Sequence, residues 1–389
     1  MGLTVRVHVA AALAPAAQAL GWSAAAVPGA TVVAEYASDN PGQASFDTVV
    51  TDAAGVSRFG DLLAGSYSLQ VSRQLTPDEQ TRAGSVLGSV YALTGVATIV
   101  LSPSAADTLD VELGGVGAGS LAFSEIFQTE PLLTSIGEVY KWGAYLKIYN
   151  NADTTIQLAG KLFISATPGL ALGGPYTCTT QAATQNDPAG LWADFIFRFP
   201  DTARPLTPGA GALIATDAID HTQIKNAAGF FDLSRADFEF KGDQDAHNPL
   251  AQGMLDIGPR RFDGGHGWVS NGDRQVLALV EPLDITSLPS HSDPFGYGFT
   301  LLRIPTAALL DVVQWKPIFP PSSYGTDCPS SVVTSIDAAE ARSVVTFYDT
   351  LTMHRRVSRT LSTGRVILQQ SHNSAADWYA APGTPYKVP

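Results

Sequence analysis

The sequence predicts an all-β chain, and three observations carry that prediction. Glycine (36) and proline (25) are abundant over 389 residues, a composition that favours short strands joined by many turns. Stretches of Ala, Glu, Lys and Leu at helical spacing are few. Runs of β-forming residues instead alternate with turn residues, beginning at Thr4-Val-Arg-Val-His-Val9. Apolar residues make up 45% of the chain and charged residues 15%, so it is globular, and its length allows two or three domains.

Residues 1–114 read as a separate small sandwich. Strand candidates are Thr4–Val9, Ala30–Tyr36, Ser45–Thr51, Gly65–Ser72, Ala97–Leu101 and Thr108–Leu113. Thr51-Asp52-Ala53-Ala54-Gly55 is a turn in which Gly55 permits the tight geometry; Phe59 and Leu62 are core candidates, and Tyr67 alternates inward with Leu69. Pro77-Asp78-Glu79-Gln80 opens a short helix with Pro in its first turn. The pattern T-D-x-x-G-x-x-x-F-x-x-L-x-x-G-x-Y-x-L-x-V over Thr51–Val71 resembles the carboxypeptidase-regulatory or prealbumin-like domain. That resemblance implies an immunoglobulin-like module of the kind used as a stalk or spacer.

Gly114-Gly115-Val116-Gly117-Ala118-Gly119 is the best linker candidate, making 115–389 the second domain. In it, Tyr145, Ile148 and Tyr149 precede a turn at Asn150-Asn151-Ala152-Asp153, and Ile156, Leu158, Leu162 and Ile164 resume the alternation, which predicts a hairpin. The pattern I-Y-N-N-x-x-x-x-x-x-L-x-G, preceded by Ser124-Glu125-Ile126, resembles the lamin-tail type of immunoglobulin-like sandwich. Long loops are expected between Gly169 and Phe195 and between Lys241 and Val276. With Leu213–Thr222, Asp232–Phe240, Ser335–Ala339 and Gly364–Trp378 added in order, the whole chain resembles a domain-of-unknown-function family of Bacteroidetes-type secreted or lipoprotein proteins. The resemblance implies a prealbumin-like module joined to an elaborated lamin-tail-like sandwich, and an extracytoplasmic, cell-surface location; it implies no activity.

The net charge of −13 argues against nucleic acid, since phosphate binding needs clustered Lys and Arg. His354-Arg355-Arg356 with Arg359 is the compact basic cluster, and it reads as a solvated strand edge. No apolar run is long enough to cross a membrane. Ala10–Ala26 is Ala-rich but is interrupted by Pro15, Gln18 and Ser23, unlike a secretory signal, and Met1–Arg6 lacks the residue myristoylation needs. The strand starting at Thr4 fits a mature domain placed behind a new start codon. The two cysteines, Cys178 and Cys328, could form one disulfide or remain two buried thiols.

The densest polar cluster is Asp217, Asp220 and His221, followed by Asp232, Asp237, Asp243, Asp245 and His247. Such residues could bind a divalent ion, calcium being the first candidate. Asp243–Asn248 begins like a calcium loop but has Asn248 where that loop needs Gly and Met254 where it needs Glu. Turn aspartates bonding their own backbone explain Asp217 and Asp220 as well. His266 and Trp268 lie in a glycine-rich loop, and Trp268 and Tyr297, each beside Gly, are candidates to grip a sugar or a protein partner. No Gly-x-Ser-x-Gly elbow, His-Glu-x-x-His, P-loop or dinucleotide turn occurs. The leading expectation is a non-enzymatic envelope protein that binds a partner or assembles with itself. A metal-dependent hydrolase using Asp217, Asp220 and His221, and a calcium-stabilised adhesion module, are the alternatives.

Overall fold

The computed structural model describes residues 2–36, 46–87, 90–102, 107–117, 121–127, 132–133, 138–140, 142–166, 187–224, 230–240, 248–259, 275–292, 300–315, 332–341, 350–361 and 363–389. Over these the protein is nearly all β, and its strands gather into layered sheets. The chain divides into two compact units, Met1–Ala118 and Gly119–Pro389.

The first unit holds β1 (Leu3–Val9), β2 (Thr31–Tyr36), β3 (Phe46–Val50), β4 (Val56–Phe59), β5 (Gly65–Gln74), β6 (Val90–Leu101) and β7 (Asp107–Gly117), in the order β3-β2-β5-β6-β7-β1-β4. Alternate residues supply its core: Val5 and Val7 of β1 meet Tyr67, Leu69 and Val71 of β5. The Thr51–Gly55 turn forms for the reasons its residues suggest. Asp52 Oδ1 accepts from the amides of Ala54 (2.9 Å) and Val56 (3.0 Å). Gly55 has φ +72°, and a Cβ there would stand 2.6 Å from the Val7 carbonyl oxygen. Phe59 and Leu62 are buried beside it. The Ala-rich stretch yields helix α1 (Ala14–Ala19), which presses Ala16 and Ala17 into the core. Helix α2 (Pro77–Leu87) opens on a reciprocal cap, Glu79 N donating to Thr76 Oγ1 (3.2 Å) and Thr76 N to Glu79 Oε2 (2.7 Å).

The glycine run at 114–117 is not a linker. Residues Asp107–Leu113 of β7 pair with β1 in parallel, and Gly114–Gly117 pair antiparallel with β6. One strand therefore passes from one partner to another, and small residues allow the crossing. A Cβ at Gly95 of β6 would collide with the Glu112 carbonyl and the Leu113 side chain.

Strands of the second unit begin with β8 (Leu121–Phe127), β9 (Leu132–Leu133), β10 (Glu138–Val139), β11 (Tyr145–Asn150), β12 (Leu162–Ala166), β13 (Gly190–Ala193), β14 (Phe195–Arg198) and β15 (Gly211–Ala215). There follow β16 (Phe238–Glu239), β17 (Gln252–Gly253), β18 (Leu255–Asp256), β19 (Gln275–Val280), β20 (Ser290–Ser292), β21 (Thr300–Pro305) and β22 (Leu309–Trp315). Last come β23 (Leu351–Arg355), β24 (Val357–Thr360), β25 (Val366–Leu368) and β26 (Trp378–Pro382). A seven-stranded sheet runs β17-β16-β15-β11-β8-β23-β26, a five-stranded sheet β18-β14-β12-β19-β22, and a three-stranded sheet β13-β21-β20.

Phe123, Leu146 and Ile148 of the seven-stranded sheet pack with Phe163, Leu277 and Trp315 of the five-stranded one. The opposite face of the five-stranded sheet packs Ile164, Ile196 and Ala278 against Leu191 and Ile304 of the three-stranded sheet. Burial on both faces explains why β12 and β19 read as near-continuous apolar runs, interrupted at Ser165 and opened by Gln275.

The expected hairpin after Tyr145 does not form. Strand β11 pairs with β8 and β15, whereas β12 pairs with β14 and β19 in the other sheet. The Asn150–Asp153 turn is an arch between layers, held by its two asparagines. Asn150 Nδ2 donates to the carbonyls of Thr154 (2.8 Å) and Leu206 (2.7 Å). Asn151 exchanges two hydrogen bonds with Leu368, 3.0 Å to its carbonyl and 2.8 Å from its amide. Both side chains are fully buried and replace backbone partners that a hairpin ladder would have supplied.

Candidate functional site

Among the described residues, Asp217, Asp220 and His221 do not form a metal-holding group. His221 is fully buried in the short turn of helix His221–Gln223. Its Nε2 lies 2.8 Å from the Asp217 carbonyl oxygen, which can only accept, so Nε2 carries the proton. Nδ1 then accepts from the Tyr140 hydroxyl at 2.8 Å, and both ring nitrogens are engaged. Asp220 caps that turn through Thr222 N (3.0 Å) and Thr222 Oγ1 (2.5 Å), bonds that hold its carboxyl below the usual range. The link between Asp217 and His221 thus runs through main chain. Among the described residues no group of three His, Cys, Asp or Glu side chains is placed to hold a metal ion. Asp243, Asp245, His266, Trp268, Tyr297, Cys178 and Cys328 lie outside the described residues.

The most densely connected polar group centres on Arg355, read from sequence as part of a solvated strand edge. Strand β23 is instead an interior strand between β8 and β26, and Arg355 points between the two main sheets, 3% exposed. Its Nη2 donates to Asp311 Oδ2 on β22 of the facing sheet (2.6 Å) and its Nε to the Phe123 carbonyl on β8 (2.7 Å). Nη1 donates to the Gln369 carbonyl (3.2 Å) and stands 3.5 Å from Asp377 Oδ2. The guanidinium also lies over the Trp378 ring, 4.6 Å from its centre. The β8–β23 ladder ends at Glu125, so Phe123 turns its free main-chain groups to side chains: its amide donates to Asp311 Oδ2 (2.8 Å) and its carbonyl accepts from Arg355.

Two further aspartates complete this clasp. Asp377 accepts from Ser371 N (2.8 Å) and Ser371 Oγ (2.5 Å). Asp337 accepts from Ser374 N (2.8 Å) and pairs with Ser374 Oγ. Three buried carboxyls thus face one guanidinium. Burial raises all three, and the Arg355 charge works against it. Asp337, which Ser374 holds through its amide and hydroxyl, is pushed up to about 8 by burial and by the neighbouring Asp377 charge. At neutral pH Asp337 is therefore protonated.

A second buried pair lies on the outer face of the seven-stranded sheet. Glu125 of β8 accepts from Lys147 Nζ of β11 (2.6 Å), Tyr145 Oη (2.5 Å), Thr384 N (2.5 Å) and Thr384 Oγ1 (2.9 Å). Burial pushes the Glu125 carboxyl up, but the Lys147 charge and these hydrogen bonds outweigh it and hold it below the usual range. The Glu125 that carries the lamin-tail resemblance is therefore a structural anchor.

One surface group escaped the sequence reading. Asp187 Oδ2 accepts from Trp192 Nε1 (3.1 Å) and lies 3.5 Å from Arg303 Nη1. Arg303 sits over the Trp192 ring at 5.8 Å, and His291 meets that ring edge-on at 5.9 Å. Strands β13, β20 and β21 bring these residues together from three separate places in the chain, which no local spacing reveals.

No family model matches the sequence, and no curated protein matches it. A crystal structure of a DUF4876 family protein from Bacteroides thetaiotaomicron VPI-5482 is similar at 17% identity with a TM-score of 0.55, covering 99% of this chain and 96% of that one. The likeness spans both units and establishes a shared fold.

Proposed function

We propose that this protein is a non-catalytic, extracytoplasmic component of a bacterial cell envelope that works as a scaffold and presents its loops to a partner or to further copies of itself. The carrying observation is the state of its buried ionisable groups. Arg355, Glu125 and Lys147 are each tied to main-chain atoms from distant segments, and His221 to the Asp217 carbonyl four residues away. Groups so engaged are occupied in holding main chain, whereas a general base or nucleophile needs a free, aimed atom. The Bacteroides protein with the same fold supports the bacterial setting, and the resemblance to prealbumin-like and lamin-tail-like modules supports the envelope. The prealbumin-like module is assigned to the first compact unit, Met1–Ala118, and the lamin-tail-like module to the second, Gly119–Pro389.

A binding role would centre on the Trp192 group and on the sequence candidates His266, Trp268 and Tyr297. Light scattering and electron microscopy of the purified protein, in calcium and in chelator, test the proposal. Ordered polymers are expected if self-assembly is the function, and a compact monomer directs the search to protein or glycan ligands of those residues. Turnover of a phosphoester or glycoside that Asp217→Asn or His221→Gln abolishes would overturn the non-catalytic reading.

A further inference from the structure

The segment after β26, Gly383–Pro389, lies along the outer face of the seven-stranded sheet, and it is recognised there as a peptide would be. Lys147 Nζ donates to the carbonyls of Thr384 (2.8 Å) and Lys387 (2.6 Å) in addition to Glu125. Glu125 takes the Thr384 amide and hydroxyl. Three of these four contacts to the segment are to main chain. Beside them Tyr145, Phe127 and Phe231 pack edge-on and stacked at 5.1–5.7 Å. A Cβ on Gly383 would collide with Phe231, Tyr145 and Thr352, so a glycine passes where no other residue fits. Further out, Tyr386 Oη accepts from Arg235 N (3.1 Å), and the Arg235 guanidinium lies 4.1 Å from the Tyr386 ring centre.

We propose that Glu125, Lys147 and Tyr145 form a peptide-binding slot, and that its occupant, the segment Gly383–Pro389, is exchangeable and can be supplied by a second copy of the chain. The Glu125–Lys147 pair that grips the segment is charged and would rehydrate when the slot is vacated, while the exposed end of the segment buries little apolar surface. Tyr386 is 38% and Val388 67% exposed. Among the described residues, strand β26, which leads into it, lies at the edge of the sheet and pairs with β23 alone. Release of the segment is therefore a local opening that leaves both sheets intact. Complementarity to a second copy needs no new surface, because every copy carries the segment that already fits. Tethering favours the chain's own segment, so exchange between copies belongs to high local concentration.

The test uses the full chain with a specific protease site inserted between Pro382 and Gly383, cut after folding. A fluorescent peptide of residues 383–389 is then added. The expected result is saturable uptake by the cut protein, with affinity for the uncut protein weaker by about tenfold or more because the tethered segment competes. A peptide carrying Gly383→Val is expected not to bind, and one carrying Thr384→Val to bind more weakly. A cut segment that never exchanges, equal binding to cut and uncut protein, or equal binding of the Gly383→Val peptide would each overturn the proposal. Should the inserted site prevent folding, a chain ending at Pro382 serves for the same titration, with the same refuting outcomes. A strictly monomeric intact protein would count against self-assembly as the function and leave the peptide titration unaffected.

Discussion

Replacing Asp337 with Asn removes one proton-binding group from the interior clasp while keeping its shape. In the fold Asp337 titrates at about 8, against an ordinary 3.8, so the folded chain holds this proton more tightly than the unfolded one. Its contribution to stability is complete below pH 3.8, declines across the interval, and is gone once the pH has risen through about 8. Within that window each pH unit removes about 1.4 kcal/mol, so raising the pH from 5 to 8 costs the wild-type protein about 3–4 kcal/mol at this site. Asn cannot titrate and still offers an oxygen to Ser374 N. Urea unfolding followed by tryptophan fluorescence reads the relevant unit, because Trp142, Trp192, Trp268, Trp315 and Trp378 all belong to it. The stability difference between wild type and Asp337→Asn is expected to move in favour of the variant by about 3 kcal/mol over that range. Glu125 has the opposite sign, its contribution being lost only as pH falls through its lowered value, so measurements above pH 5 keep the two apart. A difference that stays constant from pH 5 to 8 would refute the assignment of a protonated Asp337.

Arg355→Met leaves Asp311 and Asp377 buried without their counter-charge and is expected to destabilise the second unit by about 3–5 kcal/mol, more at pH 8 than at pH 5, in the same urea assay. Asn151→Ala strips two buried hydrogen bonds from the arch and is expected to cost about 2–3 kcal/mol, with the amide of Leu368 losing its hydrogen-exchange protection. Asp220→Asn keeps an oxygen for the Thr222 amide, so its melting temperature should match wild type and be the same in calcium and in chelator; a calcium-dependent shift in wild type that this variant abolishes would restore the metal reading.

Legibility in the sequence followed the range of the interactions. The turn made by Asp52 and Gly55 and the alternation through Phe59, Tyr67 and Leu69 follow local sequence patterns, and the turn, core positions and alternation were all readable there, although Val7 and Tyr36 complete their packing from far along the chain. The Thr76–Glu79 cap is equally local. Arg355 was misread because neighbouring His354 and Arg356 make it look solvated, and its partners Phe123 and Asp311 lie far away in the chain. The alternation that places it beside buried Met353 was present but was outweighed by charge. Asn150 and Asn151 announced a turn correctly, yet a turn between strands of one sheet and an arch between two sheets have the same composition. The glycines at 114–117 signal close approach as readily as flexibility, and only the position of β6 decides between them. The Asp217–His221 cluster shows the converse: His221 and Asp220, residues of metal-binding type close in sequence, are engaged by main-chain groups and by the side chains of Tyr140 and Thr222.

Strand pairing also imposes a timetable on synthesis. Strand β1 pairs with β4 early but waits for β7, more than a hundred residues after it begins, and β8 likewise waits for β23, which starts at Leu351. In both units the opening strand becomes interior only when a strand near that unit's C-terminal end arrives. A nascent chain on the ribosome therefore exposes β1 and then β8 as open apolar edges for most of each unit's translation, and a chain released early is left with an unsealed sheet.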